Sequence, residues 1–242
     1  MIRLRADSPA VAHGMGLFET MLVVRGVVVQ RDEHFARLAA SAEALGFPPP
    51  DARAFRAAVA RAAKHADDEA ALRCLYVQDV DRWRLIATVG PIPPVTLRRR
   101  NGARAITLDR SFSRALPEHK LTSYAASTIG LQRAINAGAD EALFVDRDGR
   151  VLEGTATNVF ALNGSTLITA PRGILPGIVR ASVLERARAV GLDVIERAPT
   201  VDELRDGGFL TSSLTLLAPL VELDGRACRP PNSAFAALSS RA

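Results

Sequence analysis

Turn-forming residues divide this 242-residue chain into short segments, and that division limits the folds open to it. No apolar run approaches the roughly 18–20 residues that a membrane helix needs. The first part has the pattern β-β-α-α-β-β, which is typical of a small α+β domain. Its hairpin turns at Arg25-Gly26, and Asp51 can cap the second helix. These elements are predicted at 17–29, 32–45, after 51, at 72–77 and at 83–89.

The second part alternates short strands with helices, which indicates a mixed α/β domain. Pro176 at a first turn and the capping box from Thr200 to Glu203 mark two helix starts. The predicted strands are 103–108, 141–145, 159–162, 166–169, 192–195, 208–211 and 220–223, and the longer predicted helices are 123–137 and 176–190.

The net charge of +5 and the pI of about 10.0 raise the question of nucleic-acid binding. Most arginines are scattered and aromatic residues are only 5%, so the pattern favours small anionic substrates over nucleic acid. Cys74 and Cys228 share no metal-ligand or paired spacing, so we expect neither a metal site nor a disulfide. The charged N-terminus lacks the apolar core of a signal peptide, so we expect a cytoplasmic protein without a membrane partner.

Lysine is rare in this chain. Of the 31 basic residues, only Lys64 and Lys120 are lysines. A lysine amine can lose its proton and act as a nucleophile, which an arginine cannot do. Lys64 ends a helical stretch, where a cation is favoured. Lys120 precedes a predicted helix, whose positive end would favour the neutral amine, so Lys120 is the candidate nucleophile, with an ordinary surface lysine as the alternative.

Other candidate groups are weak signals when each is taken alone. Glu153 follows a strand-like segment and could be a solvated turn residue. The segment 173–180 is rich in glycine and leads into a helix, so its N–H groups could bind phosphate. Three hydroxyl residues at 211–213 could bind the same phosphate or satisfy a turn.

The order and wording of these segments resemble the class IV aminotransferases, the fold-type IV group of pyridoxal 5'-phosphate (PLP) enzymes. HKLTSYA at 119–125 is similar to the family's lysine motif, and GADEALFVDRDGRVLEGTATNVF at 138–160 is the most specific match. GMGLFETMLVVRG, DEHFARLAASAEALG, GILPGIVR and FLTSSL occur in the expected order. The resemblance spans roughly residues 13–226. Several motifs in the expected order are much more specific than any one of them alone.

The resemblance implies specific roles for these residues. Lys120 would carry PLP as a Schiff base and shuttle a proton, and Glu153 would bind the ring nitrogen. Tyr124 would contact the ring hydroxyl, although a packing role is the alternative. The phosphate ligands would be Arg37, the backbone at Ile178 and Val179, Ser212 and Ser213. Position 179 is valine where the family often has threonine, so only its backbone could bind there.

The resemblance also implies a fold-type IV architecture of α/β (α+β) class, with the cofactor between two domains. We expect a small N-terminal α+β domain at 1–110, a linker at 111–118, and a larger pseudo-barrel domain at 119–242 that carries the lysine. The family forms homodimers, so a homodimer is expected.

The resemblance leaves the reaction open. Closest in wording are the 4-amino-4-deoxychorismate lyases of folate synthesis, which release pyruvate and 4-aminobenzoate. Transaminases of branched-chain or D-amino acids are the alternative, and a non-catalytic or nucleic-acid-binding protein is a remote one. A substrate carboxylate needs a cation, for which Arg73, Arg110 and Arg114 are candidates, and Thr20 is a further candidate substrate contact.

Overall fold

Backbone pairing divides the strands of the computed structural model, which describes residues 4–239, into two sheets. The first sheet has the antiparallel order β2-β1-β3-β4. Its strands are β1 (Gly16–Val24), β2 (Val27–Val28), β3 (Glu69–Asp79) and β4 (Arg82–Gly90), and the helices of the same unit are α1 (Pro9–Ala12), α2 (Arg31–Ala44) and α3 (Ala52–Ala63).

The core of this first unit lies between one face of the sheet and the helices α2 and α3. Met21 of β1 and Leu72 of β3 are fully buried there, together with Phe55 and Val59 of α3. Asp51 caps α3, because its carboxylate accepts a hydrogen bond from the Ala54 N–H at 2.6 Å. The predicted apolar helix face and its cap are thus confirmed.

The second sheet closes on itself. Its strands are β5 (Ala103–Thr107), β6 (Glu141–Val145), β7 (Val151–Gly154), β8 (Asn158–Asn163), β9 (Thr166–Thr169), β10 (Asp193–Glu196), β11 (Gly208–Ser212), β12 (Leu216–Leu223) and β13 (Arg226–Ala227). The order is β10-β9-β8-β11-β12-β5-β6-β7, and β7 also pairs with β8. The strands from β8 through β11, β12, β5 and β6 to β7 therefore form a closed ring, which corresponds to the predicted pseudo-barrel.

Two helices, α5 and α6, cover this ring on its outer side. Ala134 of α5 packs with Phe144 of β6, and Val183 of α6 packs with Phe160 and Phe209 of β8 and β11. The helices of this unit are α4 (Pro94–Arg100), α5 (Ala125–Asn136), α6 (Ile178–Ala189), α7 (Val201–Arg205) and α8 (Ala234–Ser239). Within residues 4–239, none of the helices has the length and apolar character needed to cross a bilayer.

The division into two units differs from the predicted domain limits. One unit extends to Pro93 and includes His119–Tyr124, and the other contains Pro94–Glu118 and the chain from Ala125 onward. The first domain was predicted to continue to residue 110, but β5 pairs with β6 and β12 of the ring. The predicted linker at 111–118 groups with the ring unit, whereas Lys120 groups with the first unit rather than with the larger domain.

The helices differ from the sequence prediction at several points, and α1 (Pro9–Ala12) and α8 (Ala234–Ser239) were not predicted. The helix α4 was not predicted, because Pro91-Ile-Pro-Pro was interpreted only as a break. The helix α5 starts at Ala125 rather than at Ser123. The helix α6 starts after Gly177, so Pro176 precedes the helix instead of lying in its first turn.

Candidate functional site

The backbone of Lys120 is held against the edge of β1. The Phe18 N–H donates a hydrogen bond to the Lys120 carbonyl at 2.8 Å. The next residue, Leu121, forms a bridge with Leu17 and packs against the core of the first unit. Because side chains alternate across an extended segment, Lys120 projects to the face opposite that core.

The strand pairing that holds the backbone around Lys120 was not part of the sequence prediction. The sequence placed the lysine just before a helix that would start at Ser123. In the structure the helix starts at Ala125, and backbone pairing with a strand fixes the lysine.

Phe18 collects the functional side chains on its face of the sheet. The Lys120 Nζ lies 4.4 Å from the centre of the Phe18 ring, and the Arg73 Cζ lies 4.1 Å from it. Tyr124 packs edge-on against the same ring, with centroids 5.2 Å apart, and its own ring centre is 5.3 Å from the lysine nitrogen. Thr20 pairs with Arg73 in the β1–β3 register. Lys120, Arg73, Tyr124 and Thr20 are thus neighbours within one unit.

Arg73 is exposed as a whole residue, but its guanidinium is partly buried. Burial of the guanidinium lowers its pKa, an effect that the nearby Tyr124 opposes. The Lys120 amine and this guanidinium both lie within 4.4 Å of the Phe18 ring centre, so the two groups are close to each other. An anionic group near Lys120 would therefore find a cation beside it.

A buried charge cluster holds Arg37 on α2. Its Nε and Nη2 donate hydrogen bonds to the two oxygens of Glu19 at 2.9 and 2.6 Å. Burial alone would raise the pKa of Glu19, but the Arg37 charge and the bonds from His34 and Arg37 outweigh it and lower the pKa to about 2. Burial lowers the pKa of His34 against the opposing effect of Glu19. The neutral His34 ring therefore donates a hydrogen bond from its Nδ1–H to the ionised Glu19 carboxylate, at 2.6 Å.

Glu19 and His34 were missed by the sequence prediction, although β1 contains a usable signal. Leu17, Glu19 and Met21 alternate along the strand, and Leu17 and Met21 enter the apolar core. A glutamate on that face must be buried, and a buried carboxylate needs a partner. Arg37, already expected at the phosphate, is that partner, and its phosphate role stays a prediction.

A β-bulge directs Glu153 in the second unit. Val145 of β6 pairs with Val151, and Phe144 pairs with Glu153, so two steps along β7 oppose one on β6. Val151 packs in the ring core, whereas Phe144 packs on the outer side beneath α5. The bulge therefore turns Glu153 towards the outer side of the ring.

The carboxylate of Glu153 is buried and held from several directions. Its Oε1 accepts a hydrogen bond from Arg114. Its Oε2 accepts one from the Leu175 N–H at 3.0 Å and faces Asn158 Nδ2 at 3.5 Å. Only 4% of Glu153 is exposed, so its carboxylate has a fixed orientation.

Arg114 of the predicted linker and Arg110, just before it, lie in different surroundings. Arg114 is bonded to Glu153 and to the Pro117 carbonyl, the latter at 2.8 Å. Arg110 is exposed and lies near Gly149, where an added Cβ would be 3.4 Å from its Nη2. Neither was linked to Glu153 in the sequence prediction, because the linker was expected to be separate from both domains.

The start of α6 is close to the same group of residues. No side chain caps this helix, and its N-cap residue is Gly177. A side chain at position 177 would overlap Asn158, whose Nδ2 donates to the Leu175 carbonyl at 3.0 Å. The N–H groups at Ile178 and Val179 therefore begin a helix that can accept an anion.

The hydroxyl residues at the end of β11 are linked to this helix start through Asn158. Thr211 pairs with Asn158 in the β8–β11 register, and its buried Oγ1 has no hydrogen-bond partner among the described residues. Ser212 accepts a hydrogen bond from the Thr215 N–H at 3.0 Å, and Ser213 is half-buried beside it. Glu153, the start of α6 and these hydroxyls thus share one region of the second unit.

A second buried carboxylate organises the turn after Glu153. Glu141 is fully buried, accepts hydrogen bonds from the hydroxyls of Thr155 and Thr157, and lies 3.5 Å from the guanidinium of Arg99. Gly154 lies against it, so a Cβ there would overlap Thr157 and approach Glu141 to 3.0 Å. The sequence prediction included the surrounding motif but assigned no role to this cluster.

Across residues 4–239, no group of three or more histidine, cysteine or acidic side chains is arranged to hold a metal ion. The candidate chemistry in the described part of the chain therefore consists of an amine, carboxylates, arginines and a helix start.

Comparison with known proteins gives a consistent result. The family model described as amino-transferase class IV matches residues 16–223. A bifunctional aminodeoxychorismate lyase / D-amino acid transaminase from Mycobacterium tuberculosis is 37% identical, covering 92% of this chain and 86% of that protein. A D-alanine aminotransferase from Bacillus licheniformis is 31% identical, covering 88% and 80%. The PLP-bound structure of a hypothetical aminotransferase from Mycobacterium tuberculosis has a TM-score of 0.88 and 34% identity, covering 98% of this chain and 91% of that one.

Proposed function

Because the chain belongs to the class IV aminotransferase family, we propose that it is a 4-amino-4-deoxychorismate lyase that releases pyruvate and 4-aminobenzoate. Family membership makes it a PLP-dependent enzyme. The specific reaction is our proposal. It is supported by the residues of the lysine and GADEALF motifs and by the lyase activity for which the relative from Mycobacterium tuberculosis is named.

The side chains present are suited to PLP. When bound, PLP supplies an aldehyde and a ring that accepts electrons. Lys120 offers an amine to the aldehyde, and the buried Glu153 offers a carboxylate to the ring nitrogen. The uncapped start of α6 offers N–H groups to the phosphate, and Ser212, Ser213 and Arg37 are proposed to complete its binding.

The observation that carries the proposed reaction is the pairing of Lys120 and Arg73 on Phe18. Aminodeoxychorismate bears two carboxylates, and one must meet a cation while the amine reacts. Arg114 is bonded to Glu153, and Arg110 lies at the turn near Gly149. Arg73 is therefore the substrate cation we propose.

The chain's own groups have distinct tasks in this scheme. In the proposed lyase reaction Lys120 Nζ would take the proton from the amine-bearing ring carbon as the C–O bond to the enolpyruvyl group breaks, and would give a proton to the methylene carbon of that group, which leaves as pyruvate. Arg73 orients the substrate through its carboxylate, and Thr20, beside it in register, can donate a hydroxyl hydrogen bond. Tyr124 packs against Phe18 and limits the space around the amine.

A second function, D-amino acid transamination, is favoured by the same arginine. A transaminase must bind a 2-oxo acid, and 2-oxoglutarate carries a second carboxylate that Arg73 could hold. Two of the relatives described above are named for transamination of D-amino acids. Branched-chain amino acids and D-alanine each carry one carboxylate, so Arg73 does not separate these two classes of amino donor.

The test compares two reactions in the PLP-loaded enzyme. Aminodeoxychorismate alone should yield pyruvate and 4-aminobenzoate. D-alanine with 2-oxoglutarate should yield glutamate if transamination is the main activity. Arg73→Gln should raise KM by about tenfold to a hundredfold, because a charge-assisted hydrogen bond contributes about 1.5–3 kcal/mol. Arg82→Gln, an exposed arginine on β4, is the matched control. Turnover of neither substrate, or an Arg73→Gln variant that matches the control, would refute the assignment.

The homodimer and the cytoplasmic location expected from the sequence remain proposals. Sedimentation of the full chain tests the first, and a mass near 25.9 kDa would contradict it. Fractionation of expressing cells tests the second.

A further inference from the structure

Arg114 is bonded to the carboxylate that the family resemblance assigns to the cofactor ring. We propose that Arg114 is a positioning residue that keeps Glu153 ionised and aimed, and that it does not bind the substrate. This inference rests on the proposed PLP function. It replaces the earlier expectation that Arg114 was one of three candidate substrate cations.

The contact between Arg114 and Glu153 is buried. The side chains are 9% and 5% exposed, so water screens their charges little. The same Arg114 nitrogen also donates to the Pro117 carbonyl at 2.8 Å, which fixes the guanidinium within its own loop. A substrate carboxylate would have to compete with a bound carboxylate for this cation.

The loop that carries Arg114 is anchored at both ends within the second unit. At its start, the N–H groups of Ser111 and Phe112 donate to Asp109, each at 3.0 Å, and Arg133 lies 4.2 Å over the Phe112 ring. At its end, Glu118 accepts a hydrogen bond from the Gly173 N–H at 3.2 Å. The loop therefore presents Arg114 to Glu153 in a fixed position.

The two oxygens of Glu153 have different partners, and this sets the orientation of the carboxylate. Arg114 binds Oε1, while Oε2 accepts from the Leu175 N–H two residues before Gly177, the residue that caps α6. The carboxylate is thereby tied to the loop that leads into the proposed phosphate site. Losing Arg114 would remove this hydrogen bond and its neighbouring positive charge from the buried carboxylate.

The expected consequence is a change in the pH range over which PLP binds. A carboxylate must be ionised to hold a protonated ring nitrogen. Without the arginine, the buried Glu153 takes up a proton more readily, so PLP binding should fail at a higher pH. The acid limb is the part of the binding curve where PLP affinity falls as the pH is lowered. A residue that only supported the fold would weaken PLP binding at every pH without shifting this acid limb.

The experiment measures the PLP dissociation constant from pH 5.5 to pH 9 for the wild type, Arg114→Met and Arg110→Met. Arg114→Met should weaken PLP binding about tenfold more at the acid end than at the alkaline end, which corresponds to one pH unit in the acid limb. The exposed Arg110→Met variant should follow the wild type. An Arg114→Met variant with wild-type PLP binding and a raised substrate KM would overturn the inference and return Arg114 to the substrate.

Arg114→Lys keeps the test decisive if the methionine variant does not fold. It retains the positive charge but lacks the planar guanidinium whose Nη2 contacts both Glu153 and the Pro117 carbonyl. We expect it to weaken PLP binding and leave substrate KM unchanged, and the reverse result would overturn the inference. A wild type that binds no PLP would refute the proposed function itself, whereas altered variants can be judged only when the wild type binds PLP.

Discussion

Replacing Glu19 with glutamine tests the buried cluster of the first unit. Glu19 is 1% exposed and is bonded to both Arg37 and His34. Its pKa is about 2, compared with an ordinary value of 4.5. Because the folded state lowers this pKa, Glu19 contributes stability that is fully present above pH 4.5 and is lost as the pH falls towards 2.

The size of the effect follows from the two pKa values. A shift from 4.5 to about 2 corresponds to about 3 kcal/mol at neutral pH, of which about 2 kcal/mol is lost between pH 7 and pH 3. Glu19→Gln removes this titration. Between pH 7 and pH 3, the decrease in the free energy of unfolding should therefore be smaller in the variant than in the wild type, by about 2 kcal/mol. At pH 7 the variant should be less stable by about 3 kcal/mol or more, since two buried donors lose their charged partner.

Trp83 provides the assay, because it is the single tryptophan and it packs in the first unit against Phe47 and Tyr76. Urea unfolding followed by its fluorescence, at several pH values between 3 and 7, gives the slope of the free energy of unfolding against pH for the wild type and for Glu19→Gln. Glu43→Gln, an exposed residue on the same helix α2, is the control and should keep the wild-type slope. Parallel pH dependence in Glu19→Gln and wild type would refute the assignment of a buried, ionised Glu19.

Two further predictions concern the second unit. Gly154→Ala should destabilise the fold by about 1–3 kcal/mol, because the new Cβ would overlap Thr157. Gly90→Ala, which meets open space, should be close to neutral in the same thermal unfolding experiment, and equal melting temperatures for the two variants would contradict the packing argument. Thr200→Ala should cost about 1 kcal/mol by removing the N-cap of α7. Thr200→Ser keeps the cap and should retain stability, so an equal loss in both variants would argue against capping.

Much of the fold could be predicted from local patterns. The opening hairpin, the two amphipathic helices and the capping box at Thr200 are all present, because each depends on residues close together in sequence. The domain limits could not be predicted in the same way. Both β5 and the segment around Lys120 are assigned to a unit by pairing with distant strands, and no local signal specifies those partners.

The candidate site shows the same limit. Lys120 could be singled out because lysine is rare here, and Glu153 because it lies in the most specific motif. The partners of these residues could not be named from the sequence. Arg114 reaches Glu153 across 39 positions, and the bulge that turns Glu153 outward depends on its register with β6. That Arg73 lies beside Thr20 depends on the pairing of β1 with β3, which the sequence does not specify.

The central claim is that the amine of Lys120 holds PLP, and the scarcity of lysine makes it directly measurable. Borohydride reduction of the PLP-loaded enzyme links the cofactor permanently to the amine that holds it, and peptide mass spectrometry then locates the label. Lys64, exposed at the end of α3, is an internal control in the same molecule. We predict the label on the peptide that contains Lys120 and none on the peptide that contains Lys64. A label on Lys64, or an unlabelled Lys120 in active enzyme, would contradict the account.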